Sequence, residues 1–406
     1  MILRILLTGT TLLLLTLVAS VGAAGASGPK GIPISGMENV RAYAAAAQVG
    51  GRSYAVDGGR LYGGLNGVWV PLPAPHGVIV NAVAVDRMEQ DTVFIGAADR
   101  LSVYVSRDGG EGWKEFALDA DAIGGVTAMA FDAFNRLLYV GTVADGVYRL
   151  RDIGTGPGKG LIASGHLLLE EPVLEIAVDS TGAGLGFVRT PERLYRAEAY
   201  GLRWLVVDSL PGPPTAVAVS DVSPPKVYLG TAGGGVLVSE DGTAWQGVNQ
   251  GLDGAGAGML VINDLAVDPA RPEVLYAATS LSDAEGFHGH SGSVAVSTDS
   301  GRRWESLAVL ENAQVAELLP VTGRSGLVYA LTTASRRPVA VGEVPPLVMQ
   351  ETGGLPGSGL RSPGLLAWIL AGHASAALII LGVSEFRGGD RRRGGTAYGL
   401  RTAEAG

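Results

Sequence analysis

Two stretches of the chain share the pattern that decides its fold: Ser106-Arg-Asp108-Gly-Gly110-Glu-Gly-Trp113 and Ser297-Thr-Asp299-Ser-Gly301-Arg-Arg-Trp304. Both read Ser-x-Asp-x-Gly-x-x-Trp. A third copy, Ser239-Glu-Asp241-Gly-Thr-Ala-Trp245, is one residue shorter. Degenerate copies, which have lost some of the motif residues, end at Trp204 and Trp69. Five of the six tryptophans therefore fall at one repeated position. A pattern that recurs in this way indicates a repeat architecture.

A second pattern, a short apolar strand that ends in Asp or Ser, alternates with the first. Its copies end at residues 86, 132, 179, 220 and 268, which are 41 to 48 residues apart. A period in the forties with about four short strands per unit is typical of a β-propeller. The five copies are Asn81-Ala-Val-Ala-Val-Asp86, Thr127-Ala-Met-Ala-Phe-Asp132, Leu174-Glu-Ile-Ala-Val-Asp179, Thr215-Ala-Val-Ala-Val-Ser220 and Asn263-Asp-Leu-Ala-Val-Asp268.

These repeats predict an all-β, seven-bladed propeller over residues 38–350. The small Val and Ala side chains suit innermost strands that pack around a narrow axis. The first and last copies are the most worn, so six or eight blades are alternatives, and the residues after the N-terminal leader are candidates to complete the last blade. The predicted blades are 38–77, 78–124, 125–171, 172–212, 213–260, 261–312 and 313–350.

The Ser-x-Asp-x-Gly-x-x-Trp pattern resembles the Asp-box, or BNR, repeat. That repeat is found in sialidases, sortilin-type receptors, xyloglucan-cleaving glycosidases and photosystem-assembly propellers. The resemblance implies that each motif is the turn between the third and fourth strands of a blade. It also implies that Asp108, Asp241 and Asp299 cap turn N–H groups, and that the tryptophans pack between strands. The worn copy with Ala197 and Ala199 favours this structural interpretation over catalysis.

Strand alternation assigns the loops of a propeller to two faces, and ligands are expected in the channel or on the face that carries the blade-to-blade connections. The clearest insertion there is Ser280–Ser293, and the connection Asn249–Met259 precedes the same blade. Long loops in a compact repeat are where function tends to lie. The candidate binding residues of these two loops are Asp253, Asp283, Glu285, Phe287, His288 and His290.

The sequence gives little support for metal binding or for glycoside hydrolysis. His288-x-His290 is a weak metal signal in a polar loop, so we expect no metal and no cofactor. A glycosidase needs two carboxyl groups about 5–9.5 Å apart, and the sequence singles out no such pair. The sialidase-type Arg-Ile-Pro is also missing, since Gly31-Ile-Pro33 lacks the arginine. Catalysis is therefore left undecided, and a non-catalytic role is favoured.

Both ends of the chain resemble membrane-targeting segments. Residues 1–26 read as a secretory signal peptide, with an uncleaved anchor as the alternative. Residues 364–383 carry no formal charge and are long enough to span a bilayer. The basic tail 384–406 follows, which predicts a cytoplasmic C-terminus. The Gly/Pro/Ser-rich stalk 351–363 contains Leu355-Pro-Gly-Ser-Gly359, which resembles a sortase signal and leaves wall attachment as an alternative.

Composition narrows the function further. Glycine is 62 of 406 residues, as repeated turns require, and the absence of cysteine excludes disulfides and thiolate metal sites. The net charge of −9 argues against nucleic-acid binding. We interpret the chain as a membrane-anchored propeller on the extracytoplasmic side of the cell membrane, a non-catalytic module that binds or assembles a protein or glycan partner. The alternative is an extracellular glycoside hydrolase, sialidase-like or glucanase-like.

Overall fold

The chain divides into two units, Met1–Pro346 and Leu347–Gly406. The computed structural model describes only residues of the first unit, namely 31–45, 51–119, 124–156, 159–220, 222–252, 254, 259–282, 288–321 and 326–343. Apart from one short 3₁₀ turn, η1 (Ile34–Gly36), the regular structure in this part of the chain is β-strand. The strands form seven separate sheets, so the prediction of an all-β, seven-bladed propeller is confirmed and the alternatives of six or eight blades are wrong.

Each sheet is an antiparallel meander whose strands pair in chain order. Blades 1 to 3 contain β1 (Val40–Ala44), β2 (Ser53–Asp57), β3 (Arg60–Leu65) and β4 (Val68–Pro71); β5 (Val80–Val85), β6 (Val93–Ala97), β7 (Ser102–Ser106) and β8 (Lys114–Ala117); and β9 (Val126–Asp132), β10 (Leu137–Thr142), β11 (Val147–Asp152) and β12 (Leu161–Leu167).

Blades 4 to 6 also have four strands each, and blade 7 has three in the described part of the chain. They are β13 (Glu175–Val178), β14 (Gly186–Arg189), β15 (Leu194–Glu198) and β16 (Arg203–Val206); β17 (Pro214–Val219), β18 (Val227–Thr231), β19 (Gly235–Ser239) and β20 (Gln246–Gly247); β21 (Leu260–Asp268), β22 (Arg271–Ser282), β23 (His288–Ser297) and β24 (Glu305–Leu310); and β25 (Val315–Pro320), β26 (Leu327–Thr332) and β27 (Val339–Glu343).

The first strand of each blade lies next to the first strands of its neighbours, around a central channel. Because strands alternate in direction, the turns after first and third strands lie on one face, which we call the turn face. The loops after second strands and the connections between blades lie on the other, which we call the connection face. Any loop can therefore be assigned to a face from its place in the meander.

The core consists of seven apolar clusters, one between each pair of adjacent blades. Successive side chains of a strand point to opposite sides of its sheet. In β6, Phe94 packs toward blade 3, whereas Val93 and Ile95 pack toward blade 1. Both sides of each sheet are thus buried, and blades stack without any need for disulfides.

A glycine on the second strand lets some blades approach closely. A Cβ on Gly96 or on Gly141 would lie 2.4 Å from a valine methyl of the next blade, and one on Gly230 would lie 2.6 Å from Ile262. These three glycines pair across the sheet with alanines of the first strand. The repeated Gly and Ala therefore set the spacing between blades at the channel.

The ring closes between blades 7 and 1. Arg336 and Val40 are joined by a hydrogen bond from the Val40 N–H to the Arg336 carbonyl (3.1 Å), and the Tyr43 hydroxyl donates to the Pro320 carbonyl (3.1 Å). The expectation that residues near the N-terminus complete the last blade is wrong for the described part of this segment. Ile32 instead pairs with Trp69 on the outer strand of blade 1, since both backbone hydrogen bonds form there.

The predicted targeting segments lie outside the described residues. These are the signal peptide 1–26, the stalk 351–363, the membrane helix 364–383 and the tail 384–406. Within the part of the chain that the structure describes, no helix is long and apolar enough to cross a membrane.

Candidate functional site

The Ser-x-Asp turn of blade 2 connects its third and fourth strands and is closed by its own side chains. The Ser106 hydroxyl donates to Asp108 Oδ1 (2.6 Å) and accepts the Gly110 N–H (2.8 Å). Asp108 also accepts the Gly112 N–H (2.9 Å). These hydrogen bonds, from Ser106 first and then from the backbone, lower the pKa of Asp108. The Trp113 indole donates to the Pro73 carbonyl of blade 1 (2.7 Å), which ties the turn to the neighbouring blade.

The turns of blades 5 and 6 are built in the same way. Asp241 accepts from Thr243 and from backbone N–H groups, and these bonds lower its pKa. In both turns the serine hydroxyl bridges the aspartate and a glycine N–H, and Gly301 adopts a φ of +84°. The carboxylates are therefore engaged within the turns. The serine, aspartate and glycine partners are Ser239, Asp241 and Gly242, and Ser297, Asp299 and Gly301.

The predicted binding loop is only partly described. Asp253, Asp283, Glu285 and Phe287 lie outside the described residues. The backbone of His288 and His290 belongs to β23, and His288 pairs with Ser282. The segment 280–293 is therefore shorter as a loop than the sequence indicated, because β22 and β23 continue their hairpin into it. Within the described residues, no group of three His, Asp or Glu side chains is arranged to hold a metal.

The central channel offers a better defined site. Toward the connection face it widens into a cavity of about 380 Å³, which we call the channel mouth. A second cavity of about 260 Å³ lies toward the turn face. The mouth is lined by first strands of six blades, and its charged lining residues are Arg41, Glu175, Arg189, Asp264 and Glu317.

Three carboxyl groups occupy one repeated position of the channel wall. Glu175, Asp264 and Glu317 lie at the same register of β13, β21 and β25. The equivalent residue in the other four blades is alanine: Ala42, Ala82, Ala128 and Ala216. The acidic residues thus belong to blades 4, 6 and 7, on one side of the ring.

Each carboxyl group has a defined partner. Arg189 Nε donates to Glu175 Oε2 (2.9 Å), and Arg336 forms a short ion pair with Glu317. Asp264 has no arginine partner among the described residues and instead accepts the Leu318 N–H of the neighbouring blade (2.6 Å). Because the channel is narrow, these groups interact with one another across it.

Asp264 is the carboxyl group that least favours its charged form. Burial raises its pKa well above the usual range, and the charges of Glu175 and Glu317 raise it further. Burial also raises the pKa of Glu317, an effect that Arg336 opposes. A carboxyl group next to two others takes up a proton more readily than it would alone.

Several polar groups at this level have no protein partner among the described residues. Thr127 Oγ1, Thr215 Oγ1 and Asn263 Nδ2 are buried and form no hydrogen bond. Thr127 and Asn263 line the channel mouth, where Arg41 is exposed and forms no ion pair with a described residue. Buried polar groups are nearly always satisfied, so unpaired atoms at one level of the channel wall are unusual.

Exposed apolar side chains lie on the connection face of blades 2 to 4. Ile79 and Leu168 lie on blade-to-blade connections and are 56% and 65% exposed. Val143 follows the second strand of blade 3, and Leu174 lines the mouth itself. We call these four residues the apolar collar. Single exposed apolar residues are ordinary, whereas several on one face of the ring favour an interaction surface there.

The sequence interpretation missed the channel carboxyl groups. The acidic candidates from the sequence lie in loops, whereas Glu175 and Asp264 are in first strands. A signal was present, because both occupy the position that is alanine in the copies beginning at Asn81, Thr127 and Thr215.

Comparison with known proteins supports the fold. No protein-family model matches the chain, and no curated protein sequence matches it. Among solved structures, YCF48 bound to a D1 peptide is similar with a TM-score of 0.54 and 13% identity over 79% of this chain and 96% of YCF48. The β-propeller domain of Cps50 (Swd1) from Myceliophteria thermophila gives 0.55 and 12% over 78% and 98%.

A GH74 xyloglucanase from Xanthomonas campestris is also similar, with a TM-score of 0.52 and 20% identity. The match covers 75% of this chain and 52% of the enzyme, so the chain spans about half of the xyloglucanase. At these identities the likenesses establish a β-propeller and nothing finer, because one fold hosts many functions.

Proposed function

We propose that the chain is a non-catalytic binding propeller that captures a protein partner on its connection face. The observation that carries this proposal is the presence on the connection face of both the apolar collar and, at the channel mouth, polar atoms that lack partners among the described residues. Protein interfaces combine an apolar centre with a small number of well-placed polar groups. The collar would supply the first, and Asn263, Thr127 and Arg41 would supply the second.

A binding role also fits the state of the three channel carboxyl groups. Glu175 and Glu317 are paired with arginines and Asp264 with a backbone N–H, so each is held by the wall. The structural relatives include a propeller that binds a peptide, YCF48. We further propose that the propeller is displayed outside the cytoplasm, with 1–26 as its leader and 364–383 as its anchor.

The hydrolase alternative rests on a narrower observation. Asp264 holds a proton more readily than an ordinary aspartate, and Glu175 lies near it, as in an acid and base pair. The carboxyl group of Asp264 is buried, however, and accepts the Leu318 N–H. A screen of the full chain against glycan substrates tests this alternative. Turnover that disappears in Asp264→Asn would favour it.

Site-specific photo-crosslinking tests the binding proposal. A photo-reactive residue at position 168, in the apolar collar, is compared with one at Phe134, which is 58% exposed on the turn face. The full chain is expressed in the organism from which it comes, and the crosslinked proteins are identified by mass spectrometry. We expect one protein partner to be crosslinked from position 168 and not from 134.

Substitutions in the apolar collar complete the test. Leu174→Asp should reduce the crosslink from position 168 at least tenfold, because a charge at the mouth disrupts apolar contact. Met88→Asp, at an exposed position on the turn face, serves as the matched control. Equal crosslinking from both faces, or a crosslink unaffected by Leu174→Asp, would refute the proposal.

A further inference from the structure

The turn face carries exposed apolar side chains on one side of the ring. Met88 and Phe134 lie in the turns after the first strands of blades 2 and 3, and they are 64% and 58% exposed. Tyr200 and Leu202 lie in the turn after the third strand of blade 4, and they are 45% and 61% exposed. In the described turns of blades 5 to 7, no large apolar side chain is exposed on this face. We call the four residues of blades 2 to 4 the apolar rim.

The two aromatic rings of the apolar rim flank one glycine-containing turn, which follows the first strand of blade 4. A Cβ on Gly182 would lie 2.7 Å from the Phe134 ring, and one on Gly184 would lie 2.6 Å from the Tyr200 ring. Glycine at both positions therefore leaves room for a ring on either side. The rim is thus continuous from blade 3 to blade 4.

The turn that presents Tyr200 and Leu202 is the degenerate copy of the tryptophan motif in blade 4. Leu202 stands where blades 2 and 6 have the charged residues Glu111 and Arg302, and Tyr200 stands where blade 2 has Gly109. Tyr200 adopts a φ of +57°, a conformation that is unfavourable for a bulky side chain. Strained residues of this kind cluster at functional sites, so the Tyr200 side chain is a candidate for an interaction.

Hydrogen bonds from blade 3 hold this turn in place. The Tyr139 hydroxyl donates to the Tyr200 carbonyl (2.8 Å), and Arg149 Nε donates to the same oxygen (2.6 Å). In the intact copies the Ser and Asp side chains close the turn, whereas this copy has Ala197 and Ala199. The turn is therefore fixed from the neighbouring blade, and its apolar side chains stay exposed at a defined position.

The arginines beside the rim are engaged in ion pairs. Arg136 of the blade 3 turn pairs with Asp86 of the blade 2 turn, which joins these two turns. Arg203, at the end of the blade 4 turn, pairs with Glu198. These two arginines are neutralised, so apolar contact dominates what the rim offers to a binding surface.

We propose that the apolar rim rests on a phospholipid bilayer and inserts its side chains into the bilayer interface. This inference rests on the membrane anchor proposed above, 364–383, which begins after a further twenty residues, 344–363. Twenty residues span at most about 70 Å when fully extended. A bilayer is therefore available to the ring at a high local concentration.

A bilayer suits this surface better than a protein partner does. The apolar side chains stand on separate turns of three blades, with polar turn residues between them. A protein interface has a packed apolar centre, whereas lipid accommodates separate apolar side chains at its interface. Tyr200 adds an aromatic ring with a hydroxyl group, a combination that is enriched at membrane interfaces. The connection face would then face away from the bilayer, toward the proposed partner.

Fluorescence quenching on the full chain tests this proposal. The chain has no cysteine, so Leu202→Cys, Arg302→Cys and Leu168→Cys each carry one label. Position 302 is the equivalent of 202 in blade 6, and 168 lies on the connection face. The protein is reconstituted in phosphatidylcholine vesicles that contain a lipid with a shallow doxyl quencher. We expect quenching at 202 to exceed that at both controls by about threefold. Equal quenching at 202 and at either control overturns the proposal.

A substitution elsewhere in the rim provides a second measurement. Phe134→Ser should lower the quenching of the label at 202 by about twofold, because less apolar surface is inserted. Ile79→Ser, in the apolar collar, is the control and should leave the quenching unchanged. Quenching that is unaffected by Phe134→Ser overturns the assignment, and so does a protein crosslinked from position 134. A chain that does not float with the vesicles overturns this proposal together with the anchor, whereas partner capture from position 168 is a separate result.

Discussion

Six of the seven blades are of two kinds at one level of the channel wall, and blade 1, with Ala42 opposite Val56, belongs to neither. Blades 2, 3 and 5 pair an alanine of the first strand with a glycine of the second, and this pair lets the next blade approach closely. Blades 4, 6 and 7 carry an acidic residue there, opposite Arg189, Ala278 or Leu331. In the first kind, close packing of small residues determines the spacing between blades. In the second kind, the same position carries a charged side chain.

The first prediction breaks the close-packed kind of blade and has the largest effect. Gly141→Val places a Cβ 2.4 Å from Val173, inside a core with no free space. We expect a loss of about 3 kcal/mol in the free energy of unfolding, since overpacking strains a filled core. Thermal and denaturant unfolding measure it. Gly247→Ala is the control, because its nearest neighbour, Asn249, is 3.4 Å away. Equal stability of the two variants would contradict the packing argument.

The second prediction removes an arginine from the charged kind of blade. Arg336→Ala leaves the half-buried Glu317 carboxylate without its ion pair and also removes a hydrogen bond to the Val40 carbonyl. We expect a loss of about 2 kcal/mol, measured by urea unfolding. The double variant Arg336→Ala/Glu317→Gln should recover part of this loss. A double variant less stable than Arg336→Ala would show that the unpaired carboxylate of Glu317 is not the cause of the loss.

The third prediction concerns pH. The pKa of Asp264 is higher in the folded protein than in the unfolded chain, because burial and two neighbouring carboxylates oppose its charge. Its contribution to stability is therefore full below the unfolded pKa and is lost as the pH rises through the folded pKa. Asp264→Asn removes this loss and keeps an oxygen for the Leu318 N–H.

We expect Asp264→Asn to be more stable than the parent at pH 7, by on the order of 1 kcal/mol, and to equal it near pH 4. Unfolding curves across this pH range provide the measurement. Asp299→Asn, in the turn of blade 6, is the comparison and should not gain stability at pH 7. A parent whose stability relative to Asp264→Asn is independent of pH would contradict the prediction.

The fourth prediction is a near-absence of effect. Thr127→Val, at the channel mouth, removes a buried hydroxyl that has no protein partner, so stability should change by less than about 0.5 kcal/mol. Thr142→Val is the matched control. Its hydroxyl donates to the Gly146 carbonyl (2.9 Å) and accepts the Asp145 N–H (2.9 Å), so we expect a loss of about 1–2 kcal/mol. Similar losses in both variants would show that Thr127 has a partner, such as a fixed water.

The fold could be predicted from the sequence because two independent patterns repeat along the chain. One is the turn that ends in tryptophan, and the other is the apolar first strand of each blade. Each blade repeats the same packing, so even a worn copy such as that ending at Trp204 has the spacing of the others. The channel carboxyl groups were harder to find. Glu317 belongs to a degenerate copy, in which Val321 stands where the other copies end in Asp or Ser, so its equivalence to Asp264 becomes visible only from the strand register.

The polar surroundings of the channel mouth could not be predicted at all. Whether Thr127 or Asn263 has a partner depends on atoms of neighbouring blades that are more than forty residues away in sequence. Asn81 and Asn263 occupy equivalent positions, yet the amide of Asn81 donates to the Val126 carbonyl (2.8 Å) and Asn263 Nδ2 donates to nothing described. Differences of this kind arise from small shifts between blades.

The contact between Arg336 and Val40 also governs how the protein is made. The two residues are 296 positions apart, so the first blade emerges from the ribosome long before its second neighbour exists. At about 5–20 residues per second the delay is roughly 15–60 s. During that time the apolar side of blade 1 that later meets Leu319 and Leu331 is uncovered. We therefore expect chaperones to bind the apolar side of blade 1 that packs against blade 7. A chain truncated before blade 7 would leave this surface exposed.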